Sequence, residues 1–161
     1  MSSIKIIDGN LLDFPNGINF IAHSCNTQNV MGAGIARQIK DRYPKAYEAD
    51  CYAENEKDNV LGSYSFSIVD SIINKGIYNM YTQDTIGNGR EVNYEAFYIA
   101  LNKVASHIEW QDSHFKQTST LGLPWGISCG LAGGSWSIIF AMINDILFDK
   151  TFKTYIVKYN E

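Results

Sequence analysis

The apolar positions of this chain recur with two different periods, which divide the sequence into strands and helices. Alternation of polar and apolar residues over residues 61–69 is typical of a half-buried strand. The largely apolar segment 77–81 follows closely enough to form a hairpin with it. Turn signals such as Asn16-Gly17 separate the runs. Six segments are predicted to be strands: residues 5–8, 18–22, 61–69, 77–81, 120–124 and 154–159.

Other segments carry the helical period. The clearest begins at residue 93, where Phe97, Leu101, Val104 and Ile108 recur at steps of three and four and share one face. Such amphipathic stripes predict helices that pack on a sheet. The predicted helices cover residues 35–42, 45–54, 93–110 and 136–147.

The order of these elements indicates the fold class. Strand, loop and helix follow one another at two glycine-rich segments, and such units build parallel sheets with helices on their faces. The sequence predicts one domain over residues 1–161, with a three-layer α/β/α fold and a mixed, largely parallel central sheet. In such sheets, ligands bind beyond the carboxyl ends of the strands.

Two glycine loops occupy these positions. The first glycine loop, residues 23–36, contains Gly32 and Gly34 and leads into a helix. The second glycine loop, residues 125–134, also precedes a helix. Glycine lets the backbone approach a ligand closely, and free N–H groups at a helix N-terminus favour an anion. Either loop alone is equally typical of a tight turn. If the two loops face one another at this edge of the sheet, their N–H groups together would clamp both phosphates of a diphosphate.

Composition narrows the possible functions. The net charge of −4 argues against a broad nucleic-acid surface. No apolar run reaches the roughly 20 residues of a membrane span, and the strand pattern begins too early for a signal peptide. Cys25, Cys51 and Cys129 are odd in number and lack metal-ligand spacing, so we expect reduced thiols, no metal and an intracellular protein.

With these motifs, the chain resembles the macro domain family of ADP-ribose-binding α/β modules. Gly9-Asn10-Leu11 resembles the family's motif after the first strand. Met31-Gly32-Ala33-Gly34-Ile35-Ala36 resembles its first phosphate loop, and Ile127-Ser128-Cys129-Gly130-Leu131-Ala132-Gly133-Gly134 resembles its second. The branch that contains ADP-ribose 1″-phosphate phosphatases and deacylase-type macro domains is the most similar, and residues 89–97 resemble small bacterial and phage members.

The resemblance implies a set of ligand contacts. Asn10 would accept a hydrogen bond from adenine or only stabilise its turn, Asn26 would bind the distal ribose or form a turn, and Tyr159 would stack on adenine or face solvent. The two loops would hold the diphosphate mostly through backbone N–H groups. The implied ligand-binding residues are Asn10, Leu11, Asn26, Gly32, Ala33, Gly34, Ile35, Ala36, Ser128, Cys129, Gly130, Leu131, Ala132, Gly133 and Tyr159.

Three side chains are candidates for catalysis. His23 and Asn26 lie near the expected position of a terminal phosphate, where an imidazole could orient water or donate a proton. Asp84, on the polar segment 82–90, is a candidate base. Each has a structural alternative: a satisfied buried histidine, a turn-forming asparagine and a solvated aspartate. Cys129 has no evident base partner, so we expect it to be structural.

The implied activity is a metal- and cofactor-independent hydrolysis of ADP-ribose 1″-phosphate to ADP-ribose and phosphate. Deacylase members use a lysine on the loop corresponding to residues 82–89 and an aspartate after Cys-Gly-Leu, but this chain has no lysine there and carries Ala132. Two alternatives stay open: a module that reads ADP-ribose without turnover, and a hydrolase of another ADP-ribosyl derivative. We expect a monomer without a membrane partner, in the cytoplasm, including that of a phage-infected host.

Overall fold

The structure, a computed structural model, describes residues 4–55, 60–84, 92–130 and 132–159. Its centre is one sheet made of β1 (Ile4–Asp8), β2 (Phe20–Asn26), β3 (Tyr64–Asp70), β4 (Lys75–Gln83), β5 (Thr120–Pro124) and β6 (Lys153–Lys158). The strand order is β1-β6-β5-β2-β4-β3. All neighbouring strands are parallel except the antiparallel hairpin β3–β4. The predicted mixed, largely parallel sheet is therefore confirmed.

Helices cover both faces of this sheet. They are α1 (Gly34–Arg42), α2 (Pro44–Asn55), α3 (Tyr94–Phe115) and α4 (Trp136–Leu147). Side chains alternate along β2: Ile21 belongs to the apolar cluster that contains Ile39 of α1, whereas Phe20 belongs to the cluster that contains Leu101 of α3 and Ile143 of α4. The three-layer α/β/α fold is confirmed. Among the described residues, no helix is long and apolar enough to cross a bilayer.

Helix α3 continues five residues past the predicted end at residue 110. Its polar C-terminal turns resembled a connection in the sequence, but Gln111 is buried and its Nε2 donates to the Tyr78 hydroxyl at 2.8 Å. The helix stops at Lys116, which has a left-handed φ of 52°. A buried polar contact therefore extends the helix where the hydrophobic pattern fades.

Strand β2 also extends further than predicted, and this changes the setting of the candidate site. Residues 23–25 were expected in a loop but pair with Asn79, Met80 and Tyr81 of β4. Because successive side chains of a strand point to opposite faces, His23 and Cys25 lie on the face of α1 and α2, and Ser24 lies on the opposite face.

Candidate functional site

The candidate site lies where the sheet changes its winding direction. β2 and β5 are neighbours, but the chain leaves β2 for α1 on one face and leaves β5 for α4 on the other. The two strands share two register pairs, Phe20–Leu121 and Ile21–Gly122, and the ladder then ends. Such a switch point at the carboxyl ends of parallel strands is where open α/β sheets bind ligands.

A cleft of about 720 Å³ opens at this point, a volume within the ordinary range of small-molecule sites. Twelve of the predicted ligand-binding residues line it: Asn10, Leu11, Asn26, Gly32, Ala33, Gly34, Ile35, Ala36, Ser128, Gly130, Ala132 and Tyr159. Cys129 and Gly133 do not line the cleft, and Leu131 lies outside the described residues. No charged side chain is among the described residues that line it.

The sequence-based set missed several lining residues. They are Leu12, Ser24, Cys25, Val30, Gln38, Gln83, Pro124, Trp125, Gly126, Ile127 and Val157. Val30 and residues 125–127 lie in the two glycine loops themselves, and the others come from strands, from the turn after β1 and from helix α1. Within the described ranges, no three His, Cys, Asp or Glu side chains gather as a metal site would require.

The first glycine loop presents an uncapped helix N-terminus to the cleft. Ala33 is the N-cap residue of α1, with extended backbone angles (φ −150°, ψ 162°) and no side-chain cap, and the first turn contains no acidic residue. The N–H groups of Gly34, Ile35 and Ala36 therefore have no acceptor within the helix. Together with the helix dipole they form a site suited to an anion.

Asn26 shapes this loop. Its Oδ1 accepts hydrogen bonds from the backbone N–H groups of Gln28 and Val30 at 3.0 and 3.3 Å, and its Nδ2 donates to the Val30 carbonyl at 2.8 Å. The turn-forming role considered for Asn26 is thus present. Its Nδ2 carries a second hydrogen, and no described residue accepts it.

The second glycine loop contributes a matching set of donors. Ile127 N–H and Cys129 N–H donate within the turn, to Pro124 and Gly126 at 3.1 and 2.8 Å. The N–H groups of Ser128 and Gly130 have no acceptor among the described residues, and both residues line the cleft. Cys129 Sγ donates to the Ile127 carbonyl at 3.3 Å, and burial raises the pKa of this thiol, as a structural role requires.

His23 does not line the cleft, so direct contact with a ligand does not fit its position. The side chain is fully buried, and its Nε2 lies 2.6 Å from Oδ1 of Asn79. Asn79 Nδ2 donates to the Ala46 carbonyl and Ser65 Oγ, so its Oδ1 must accept from His23. Burial lowers the pKa of His23 to about 4. The satisfied buried histidine is the arrangement observed.

Asp84 lies at the exposed end of β4 and does not itself line the cleft. Its carboxylate accepts from Thr27 Oγ1 at 2.9 Å, and its carbonyl accepts from Gln28 Nε2 at 2.6 Å. Asp84 thereby ties the first glycine loop to β4. The remainder of the predicted segment, residues 85–90, lies outside the described residues.

Asn10 and Tyr159 line the part of the cleft nearest β1 and β6. Asn10 Oδ1 accepts from Leu12 N–H at 3.0 Å, so the predicted turn role is present. This bond fixes the amide orientation and leaves the Nδ2 donors of Asn10 without a described acceptor. Tyr159 is 66% exposed, so its ring is available to stack on a planar group.

The chain has relatives of two kinds. None of the protein-family models compared with it matches. Over 144 residues it is 32% identical to an uncharacterised 17.5 kDa protein from the tk–vs intergenic region of Enterobacteria phage T4, and the match covers 88% of both chains. Over 88 residues it is 34% identical to an ADP-ribose 1″-phosphate phosphatase of Aspergillus clavatus, covering 53% of this chain but 37% of the phosphatase.

Solved structures share the whole fold. A macrodomain protein from Streptomyces coelicolor is 27% identical, with a TM-score of 0.72 over 99% of both chains. Thermosipho africanus DarTG, solved in complex with ADP-ribose, is 19% identical, with a TM-score of 0.80 over 98% of this chain and 42% of that one. The fold, the two glycine loops and these likenesses agree, and the chain belongs to the macro domain family.

Proposed function

We propose that this macro domain binds ADP-ribose in the cleft and hydrolyses ADP-ribose 1″-phosphate to ADP-ribose and phosphate. The observation that carries the proposal is the uncapped N-terminus of α1, which shares the cleft with the N–H groups of Ser128 and Gly130, for which the described part of the chain offers no acceptor. Backbone donors on two sides suit a diphosphate. The phosphatase and DarTG likenesses support the ligand, and the phage relative supports action in the cytoplasm of an infected cell.

The strand order suggests how the ligand lies. Asn10 and Tyr159 follow β1 and β6, whereas Asn26 and Gln83 end β2 and β4, on the other side of the β5–β2 opening. We place the adenine near Asn10 and Tyr159, the diphosphate between the loops, and the distal ribose near Asn26. The 1″-phosphate would then lie towards the rim at Asp84.

Hydrolysis in this arrangement breaks the bond between phosphorus and the 1″-oxygen. Water attacks phosphorus and loses a proton to the Asp84 carboxylate, while the 1″-oxygen leaves with the bonding electron pair and takes a proton from solvent. Asp84 then returns its proton to solvent, and the products are ADP-ribose and inorganic phosphate. Loop N–H groups stabilise the negative charge spread over the phosphoryl oxygens. The chemistry therefore depends mainly on positioning and on backbone donors.

Titration with ADP-ribose, followed by addition of ADP-ribose 1″-phosphate with an assay for released phosphate, tests the proposal. We expect heat of binding at a stoichiometry of about one, and phosphate release at a rate above that in buffer. Binding without release of phosphate would support a reader or a hydrolase of another ADP-ribosyl derivative. If neither ligand binds, the proposed function is wrong.

Asp84→Asn should lower phosphate release roughly tenfold and leave ADP-ribose binding within about twofold. The amide still accepts from Thr27 Oγ1 but cannot take a proton from water, and the solvent-exposed position limits the loss. Steady-state phosphate release and calorimetry separate the two effects. Asp70→Asn, on the far end of the β3–β4 hairpin, is the control. Unchanged turnover in Asp84→Asn would exclude Asp84 as the base.

One feature of the cleft favours the alternative function, in which the protein binds ADP-ribose and catalyses no reaction. Among the described lining residues, the titratable side chains are Cys25 and Tyr159. Burial raises the pKa of Cys25 far above its ordinary value, so this thiol stays protonated. A base must therefore come from the rim, and ADP-ribose binding without phosphate release by the wild-type protein would make binding alone the better description.

A further inference from the structure

Ser128 has an unusual backbone conformation for a residue with a side chain. Its φ is 65°, in the left-handed region that costs a non-glycine residue about 1 kcal/mol or more. The residue lies in the second glycine loop and lines the cleft. Strain of this kind persists where the surroundings enforce it, and it concentrates at functional sites.

Gly134 helps to enforce this conformation. Its N–H donates to the Ser128 carbonyl at 2.9 Å, and a Cβ at position 134 would lie 2.6 Å from the same oxygen. The absence of a side chain at position 134 therefore allows the loop to close on Ser128. This bond holds the backbone of Ser128 but does not account for its hydroxyl.

The hydroxyl is held from the other side of the cleft. Ser128 Oγ lies 2.5 Å from Oγ of Ser24, which belongs to β2. The bond joins β2 to the loop after β5, beyond the point where the ladder between these strands ends. Both serines line the cleft, so the pair connects the end of β2 to the second glycine loop within it.

Within the described ranges, one hydroxyl hydrogen of this pair has no acceptor. Each hydroxyl has one hydrogen and two acceptor lone pairs, so the Ser24–Ser128 bond uses one hydrogen and leaves the other. No described residue accepts that second hydrogen. From this we infer that Ser128 Oγ donates its hydrogen to a phosphate oxygen of the bound diphosphate, while Ser24 donates to Ser128 and orients it. The inference rests on the proposed binding of ADP-ribose.

The two serines have different roles in this arrangement. Ser128 touches the ligand, and its bond to an anionic oxygen is of the charge-assisted kind. Ser24 is a positioning residue: its donated bond polarises the Ser128 hydroxyl and selects its rotamer. The strained backbone is retained because glycine, which would relieve the strain, has no hydroxyl to offer.

The test replaces Ser128 with glycine and measures stability and affinity together. Ser128→Gly should keep or raise the melting temperature, because the strain is relieved, and should weaken ADP-ribose binding by about 10- to 100-fold. Ser24→Ala should weaken binding about fivefold, and it should add nothing in the Ser128→Gly background. ADP, which keeps the diphosphate but lacks the distal ribose, should lose affinity for Ser128→Gly by the same factor.

Lys116→Gly is the matched control, since Lys116 has a similar left-handed φ of 52° at the end of α3, away from the cleft. It should change stability without changing affinity. Wild-type affinity in Ser128→Gly would overturn the inference, and a loss confined to ADP-ribose would overturn the assignment to phosphate. If the wild-type protein binds neither ADP-ribose nor ADP, the proposed function itself fails.

Discussion

Ala33→Asp is expected to make the protein more stable and to lower its affinity for ADP-ribose by about 1000-fold. Ala33 already has the extended backbone of an N-cap residue but lacks a side-chain oxygen. An aspartate there would accept from the N–H groups of Ile35 or Ala36 and add about 1 kcal/mol of stability, or roughly 2–4 °C in melting temperature.

The same substitution occupies the proposed anion site. The new carboxylate takes the donors that would hold a phosphate, and it adds a negative charge close to the diphosphate. Two like charges about 4 Å apart at an effective dielectric constant of about 20 repel by about 4 kcal/mol, which corresponds to about 1000-fold in affinity. Thermal unfolding and calorimetric titration of the same samples measure both effects.

Ala33→Asn separates capping from charge. Asparagine caps as well as aspartate but is neutral, so this variant should show a similar gain in stability and a much smaller loss of affinity. If Ala33→Asp binds ADP-ribose as tightly as the wild-type protein, the N-terminus of α1 does not hold the diphosphate. A lower melting temperature in both variants would show that position 33 does not act as an N-cap.

The second large effect is a dependence of stability on pH that originates at His23. Burial lowers the pKa of His23 from 6.5 to about 4. Between these values the unfolded chain binds a proton at residue 23 and the folded protein does not, so the free energy of unfolding falls as pH falls. At about 1.36 kcal/mol per pH unit, this residue should remove about 3 kcal/mol by pH 4.

His23→Gln removes this titration. Urea unfolding at about pH 7 and about pH 4.5 should show a smaller pH-dependent loss of stability in the variant, by about 2 to 3 kcal/mol, whatever its stability at pH 7. Glutamine keeps a donor for Oδ1 of Asn79, which limits disruption of the buried network. If the free energy of unfolding depends on pH equally in His23→Gln and in the wild-type protein, the assignment of this effect to His23 is wrong.

The sequence predicts the sheet and its layers well because apolar periodicity reports burial. The hairpin formed by β3 and β4, the amphipathic stripe of α3 and both strand–loop–helix units follow directly from it. The same signal fails where polar groups are buried. Residues 23–25 are polar or small, yet they pair with β4 and continue β2. Gln111 likewise extends α3 through a contact with Tyr78 that no local pattern shows.

The candidate site was predictable in its backbone but not in its side chains. Gly32 and Gly34 indicate a close approach of main chain to ligand, and both line the cleft. Which way His23 points depends on the register of β2, so its burial against Asn79 could not be read from spacing. The Ser24–Ser128 pair joins residues 104 positions apart and depends on the positive φ of Ser128.

Because the ladder between β2 and β5 is short, a ligand bound beyond its end would help to hold the two strands together. β1, β6 and β5 form one half of the sheet and β2, β4 and β3 the other, and two register pairs join the halves. A molecule bound to both glycine loops would contact both halves, so it would stabilise the sheet where few backbone pairs join them. Ligand binding should therefore slow amide hydrogen exchange in β5 and β2, next to this junction, more than in β1 and β3 at the outer edges.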